Sequence, residues 1–514
     1  MRKTGHALGA VAAASFVLSG CAVKPVDFVR TPQQGPRDIL CRDIIMQNAR
    51  VPLPGGPAMA SGQHEGWQTD YAGETLGQAL ESMLSAPIPP ASPASRGQQP
   101  VSESVLILSG GSQQGAFGAG FLRAWAAPPD ADQRTQPIPE EEYRLPRFRM
   151  VTGISTGALQ STFAFLNDTR TPVDEYSIES EGQLLRPLVK GKLEDKPLRV
   201  GRQLARKGTL ARLQPLRERL DTLISHDIML RVAAEAKAGR KLLVGAVEMG
   251  SGEMAVFDLT KAAAIYADSY DASGQASKTD HPRAQMRQCY IEALMASSSV
   301  PMSAAPVFID NKMYIDGGAR FGVLADLTAG AYRGAAIKAA AKNRTATAQQ
   351  GITPTSEDMT PRNLFILVNA TLEVPQLCRL SKCPEDENGK PQAPADDVPH
   401  SEWDFLQLAQ RSVSVLINQS YRSSVFIADG QYRAREFKPH FVKLEPDHLR
   451  YSTAIDFPGA GDAPKTCWQW RQEDERIDQP MEFFPRYMRC LIKYGETAAK
   501  ASSFKAAEPQ HGSR

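Results

Sequence analysis

An α/β fold built on a mostly parallel sheet is predicted by three observations. Short apolar runs of strand length recur along the chain, helix-compatible stretches separate them, and two of the runs feed glycine turns that open helices. Runs such as Lys241–Val247 and Asn363–Asn369 lack polar alternation, which is the signature of strands covered on both faces. Composition agrees: 514 residues, 42% hydrophobic and 23% charged, describe a globular chain large enough for one big domain with appendages.

At the N-terminus, Arg2 and Lys3 precede an apolar run from Leu8 to Leu18 that ends in Leu18-Ser19-Gly20-Cys21. This reads as a signal peptide over residues 1–20. The run is short for a hydrocarbon core of ~30 Å, so a spanning anchor is the weaker alternative. The small residues before Cys21 resemble a bacterial lipobox, which implies cleavage before Cys21 and its acylation; several acyl chains would hold the protein on a membrane. Ala22 is not the aspartate associated with inner-membrane retention, so the expected location is the bacterial cell envelope, at the outer membrane facing the periplasm. Loss of residues 1–20 removes Arg2 and Lys3 and no acid, which leaves the 57 acidic residues balanced and gives no indication of nucleic-acid binding.

Residues 21–103 form an N-terminal segment that includes a proline-rich linker, about Ala86 to Pro100. The expected catalytic domain follows over residues 104–450. Its first strand, Ser104–Leu108, runs into Ser109-Gly110-Gly111-Ser112-Gln113-Gln114-Gly115 and a helix-like stretch through Phe121–Trp125. A glycine loop opening a helix presents backbone N–H groups that can hold a phosphate or the oxyanion of a tetrahedral intermediate. No Lys-Ser or Lys-Thr follows as in a P-loop, and Rossmann glycine spacing is only loosely met.

The second strand, Phe148–Val151, leads into Gly153-Ile154-Ser155-Thr156-Gly157, the strand-turn-helix setting of a nucleophile elbow, with Ser155 as an acyl-transfer nucleophile. Side chains at Gly153 and Gly157 would clash in such a turn. An ordinary strand-to-helix turn is the bland alternative. Leu184 to Lys241 is rich in leucine, arginine and alanine, with Leu210, Leu213, Leu216 and Leu220 on one helical stripe. Core packing is the first reading of it, and a lid or membrane-facing helix the second, given Arg206, Lys207, Arg212 and Arg217. Downstream, Ala296-Ser297-Ser298-Ser299-Val300-Pro301 precedes Met313-Tyr314-Ile315-Asp316-Gly317-Gly318, which delivers Asp316 at a strand end onto a glycine turn. If it reaches Ser155, Asp316 can serve as the general base; a plain Asp-Gly turn is the alternative. A base at neutral pH needs a pKa above the ordinary ~3.9, and burial beside Tyr314 and Ile315 would provide it. Phe405 to Ala428 is expected to be a long helix or helix pair, Phe437 to Leu444 a last strand, and residues 451–514 a C-terminal tail with no readable site beyond Ile455.

Glycine loop, GISTG and DGG in this order resemble the patatin-like phospholipases over roughly Val105 to Ala319, with a continuation to about residue 450. The resemblance implies a three-layer domain with a mostly parallel central sheet flanked by helices. It also implies a Ser155–Asp316 dyad and an oxyanion hole on Gly110, Gly111, Ser112, Gln114 and Gly115, no cofactor, and a membrane lipid as substrate. The chain departs from that pattern at Ser112, where a third glycine is usual, and at Gln114, where a basic residue is usual. The expected function is a serine acyl hydrolase of phospholipase A or lysophospholipase type; a thioesterase or acyltransferase would suit the same tether. Two alternatives stay open: an α/β-hydrolase triad using His400, His440 or His448, and a lipoprotein that binds lipid or a partner without catalysis.

Six cysteines remain beside Cys21. Export makes Cys378 with Cys383 and Cys467 with Cys490 candidate disulfides, while Cys289, in a helix-like apolar stretch, reads as a free core thiol. The eight scattered histidines and the lack of paired CxxC motifs predict no metal site.

Overall fold

The structure is a computed structural model that describes residues 41–46, 75–85, 100–189, 197–268, 285–324, 363–373, 405–433 and 438–506. The signal segment, Cys21, the proline-rich linker, Cys378, Cys383 and His400 lie outside these residues.

Nine strands form one sheet: β1 (Ile45–Met46), β2 (Val101–Leu108), β3 (Arg147–Ile154), β4 (Lys241–Glu248), β5 (Glu253–Asp258), β6 (Val307–Ile309), β7 (Lys312–Asp316), β8 (Asn363–Val368) and β9 (Lys438–Lys443). Their main order is β1-β5-β4-β3-β2-β8-β9, with β7 on β4 and β6 on β7. The run from β4 through β3, β2 and β8 to β9 is parallel, and β1, β5, β6 and β7 add antiparallel pairs at one side.

Apolar residues on both faces of these strands feed two cores. Leu106, Leu108, Val151, Val244, Phe365 and Leu367 point to one, and Val105, Ile107, Met150, Leu243, Leu364 and Ile366 to the other. The first core is covered by α2 (Gly115–Ala126), α3 (Thr156–Phe165), α7 (His226–Lys237), α8 (Leu259–Ala267), α9 (Met286–Ser297) and α12 (Pro485–Ala501). The second lies beneath α1 (Leu76–Ser85) and α10 (Phe405–Arg433). This is a three-layer α/β fold. Between α3 and α7 run α4 (Arg170–Tyr176), α5 (Pro197–Lys207) and α6 (Gln214–Leu223), and α11 (Cys467–Ile477) precedes α12.

The structure corrects three expectations. The leucine stripe from Leu210 is not one helix, because Ala211–Arg212 pairs as a short strand with Arg186–Pro187 and α6 starts only at Gln214. Cys289 is not a free thiol: it is bonded to Cys41, 248 residues away, so its burial is that of a half-cystine. The segment beyond Ile455 is part of the first core. Helix α12 lies against α2 so closely that a Cβ on Gly120 would sit 2.0 Å from the Ile492 carbonyl and one on Gly495 2.1 Å from that of Phe117. A second disulfide, Cys467–Cys490, joins α11 to α12.

Candidate active site

Register along one edge of β4 brings the two principal sequence motifs together. Strand β3 ends with Ile154 opposite Gly245, and β7 takes over the same edge with Asp316 opposite Ala246. Ser155, one residue beyond β3, and Asp316, the last of β7, thus meet where one neighbour of β4 stops and the other begins.

Ser155 is 5% exposed and has φ 53° and ψ −125°, a strained conformation for a residue with a side chain. Its surroundings hold it there. The Ser155 N–H donates to the Ser297 hydroxyl at 2.9 Å, and that hydroxyl donates to the Gly245 carbonyl at 2.7 Å. Helix α3 begins at Thr156, so the positive end of its dipole lies at the serine. A Cβ on Gly157 would stand 2.5 Å from the carbonyls of Leu108 and Ser109, and one on Gly153 2.5 Å from the Gly157 carbonyl, which fixes glycine at both turn positions.

The Asp316 carboxyl is buried, and its Oδ1 accepts the Gly318 N–H at 2.7 Å across the Asp-Gly317-Gly318 turn. The Asp316 N–H donates to the Ser299 carbonyl at 2.9 Å, so the serine triplet at the end of α9 braces the elbow through Ser297 and the aspartate through Ser299. Oδ2 has no hydrogen bond of regular geometry among the described residues. Burial pushes the carboxyl up to about 7; the nearby Ser155 hydroxyl and the Gly318 N–H pull it down less, and the charge of Glu482 adds to the rise.

The loop after β2 wraps over this pair. The Gly110 N–H is directed to the Gly322 carbonyl at 3.3 Å, and the Gln114 N–H and the Gly115 N–H close the turn on Gly111, Ser112 and Gln113. The N–H groups of Gly111 and Ser112 have no acceptor among the described residues and are the loop's available donors. Ser112 has φ 49°, a conformation that favours glycine, and its hydroxyl donates to Glu482 Oε1 at 2.6 Å. The Gln114 side chain lies near the Tyr487 hydroxyl, and Gln113 Oε1 accepts the Phe484 N–H at 3.2 Å.

Two residues of this site escaped the sequence reading. Glu482 is set by Glu181, whose carboxylate accepts the N–H groups of Met481, Glu482 and Phe483 at 2.9, 2.6 and 2.9 Å. Tyr421 of α10 is buried, and its hydroxyl sits against Gly110 and Gly318; a Cβ on those glycines would lie 2.0 and 2.8 Å from it. Burial and the Asp316 charge push its phenol well above the ordinary tyrosine value, so it stays protonated.

Neither described histidine of the triad alternative joins Ser155. His440 bonds Asn363 at 3.2 Å at the far end of β8 and stacks on Phe365, while His448 bonds Tyr487 and the Glu445 carbonyl.

Two cavities open on Ser155, Ser112, Val300 and Glu482. One is an apolar channel walled by Leu159, Phe163, Leu213, Leu216, Leu220 and Leu223, the last four from α6 and the residue before it. The other is a polar mouth between the glycine loop, Asp316 and α10.

The family model for patatin-like phospholipase matches residues 106–328. Among solved structures, the crystal structure of VipD from Legionella pneumophila aligns at 11% identity and a TM-score of 0.21, covering 65% of this chain and 67% of that one. No curated protein matches the chain.

Proposed function

We propose that residues 106–328, which match the family model for patatin-like phospholipase, carry out lipid acyl hydrolysis with Ser155 as the nucleophile and Asp316 as the general base. The observation that carries the reading is the buried Asp316 carboxyl near the Ser155 hydroxyl, at the point where an apolar channel reaches the elbow. The acyl chain of the substrate lies in the channel and its ester carbonyl against the N–H groups of Gly111 and Ser112. Asp316 takes the proton as Ser155 Oγ attacks the carbonyl carbon, then passes it to the departing alcohol as the ester C–O bond breaks. Water, deprotonated by the same carboxylate, releases the acid from the acyl-enzyme and restores the serine proton. A carboxyl near 7 suits both directions of transfer, and backbone donors at the oxyanion are each worth about 2.7–4 kcal/mol of barrier.

The substrate class is a lipid carboxylic ester, whose acyl chain the apolar channel accommodates. Anchoring through an acylated Cys21 would bring the mouth to a membrane. Disulfides at Cys41–Cys289 and Cys467–Cys490 support export to an oxidising compartment. No helix among the described residues is long and apolar enough to cross a membrane.

The test is fluorophosphonate labelling and p-nitrophenyl ester hydrolysis by wild type, Ser155→Ala and Asp316→Asn. Labelling lost in Ser155→Ala and turnover lost by at least about a thousandfold in both variants is the expected result. A folded wild type that neither labels nor turns over any ester would overturn it and favour a lipid-binding role.

A further inference from the structure

The mouth that faces the alcohol side of the ester carries three carboxyl groups, Asp316, Glu373 and Glu482, and among its described lining residues no lysine, arginine or histidine. Gln114, also in its wall, is neutral. Two buried residues with polar groups line this space: Asp316, 4% exposed, whose Oδ2 has no hydrogen bond of regular geometry among the described residues, and Tyr421, 6% exposed. Both are placed to meet polar, hydrogen-bonding groups of a ligand. The acyl channel differs: its one arginine, Arg219, is paired with Glu175 at 2.6 Å, and the rest of its wall is mainly apolar.

We propose that this site selects lipid esters whose alcohol part is uncharged, acylglycerols above all, and discriminates against those bearing an anionic headgroup, with Glu482 and Glu373 as the specificity-determining residues. The inference rests on Ser155 acting as an acyl hydrolase and adds the charge of its leaving group. A phosphate next to the glycerol of an anionic lipid would enter a cavity whose described titratable acids are carboxyls, with no guanidinium or ammonium among the described lining residues to bind it. A glycerol hydroxyl in the same place can donate to Asp316 or Glu482 and accept from Tyr421. Glu482 cannot swing away from that position cheaply, because its own N–H and those on either side are held by Glu181 and its carboxyl is held by Ser112. The serine that replaces the usual glycine at 112 and the glutamate that comes from outside the family-matched region thus form one pair.

The experiment compares kcat/KM of the full chain on monopalmitoylglycerol, lysopalmitoylphosphatidylcholine and lysopalmitoylphosphatidylglycerol in micelles of an uncharged detergent, with p-nitrophenyl butyrate as a control ester. The expected order is neutral, then zwitterionic, then anionic, with at least a tenfold gap between first and last. Glu482→Gln and Glu373→Gln each narrow that gap, and so does added salt, which screens like charges. Should Glu482→Gln fail to fold, the exposed Glu373 and the salt series carry the test. Equal or faster turnover of the anionic ester, with the control ester still cleaved, overturns the preference and leaves the hydrolase standing. No turnover of any ester by folded protein overturns both.

Discussion

The hydroxyl of Ser297 takes the Ser155 N–H at 2.9 Å and gives its own proton to Gly245, so one side chain from α9 couples the strained elbow to the neighbouring strand. Ser297→Ala leaves a buried N–H and a buried carbonyl without partners, which costs about 1–3 kcal/mol of stability. The elbow relaxes, and kcat on a p-nitrophenyl ester is expected to fall between about ten- and a hundredfold with KM little changed. Steady-state kinetics with urea unfolding of the same variant checks both numbers.

The ionisation of Asp316 acts in opposite directions on activity and on stability. With Asp316 as the proposed base, the active form is the carboxylate, so kcat/KM is expected to rise with pH through about 7 and then level off. The folded protein holds this proton between the ordinary 3.8 and about 7, where the unfolded chain has released it, so folding stability falls as pH climbs through that window. At about 1.4 kcal/mol per pH unit, the full effect is bounded at roughly 4 kcal/mol. Asp316→Asn is therefore inactive yet more stable than wild type at pH 8, with the difference vanishing near pH 4, as urea midpoints at the two pH values will show.

Leu216 lines the apolar channel beside Leu213 and Leu220. Leu216→Trp fills part of it. The p-nitrophenyl ester series is expected to show its chain-length optimum shifted to shorter acids, with the shortest ester cleaved at a near wild-type rate. An unchanged optimum would place the acyl chain elsewhere.

Cys41 and Cys289 close a loop that spans strands β1 to β5. Cys41→Ser is expected to cost about 2–4 kcal/mol and to lower the melting temperature, and reductant should lower that of wild type and leave the variant less affected.

Much of this architecture is readable locally. The strands at 241–248 and 363–368 announce themselves because both faces are buried, and the elbow because Gly153 packs on Gly157 and Ala158 only a few residues on. What stays hidden depends on distant pairing. Ser112 and Glu482 are 370 residues apart, and a glutamate in a polar tail carries no mark of where its carboxyl ends up. Cys289 shows the same ambiguity, since an apolar helical setting fits a free thiol and a half-cystine equally. The leucines at 210–220 keep helical spacing across a short strand, which periodicity alone does not detect.

The position of β2 bears on how this protein can be dissected. It lies inside the sheet with β3 on one side and β8 on the other, yet β8, β9 and α10 all come after residue 328. A fragment trimmed to the family-matched region would lose Val101–Val105 of β2 and leave the rest of that strand as an unpaired edge, a template for intermolecular pairing. It would also lack Tyr421 and Glu482. The recognisable motif region is thus not the smallest folding unit, and expression boundaries for this protein have to be drawn from the strand order.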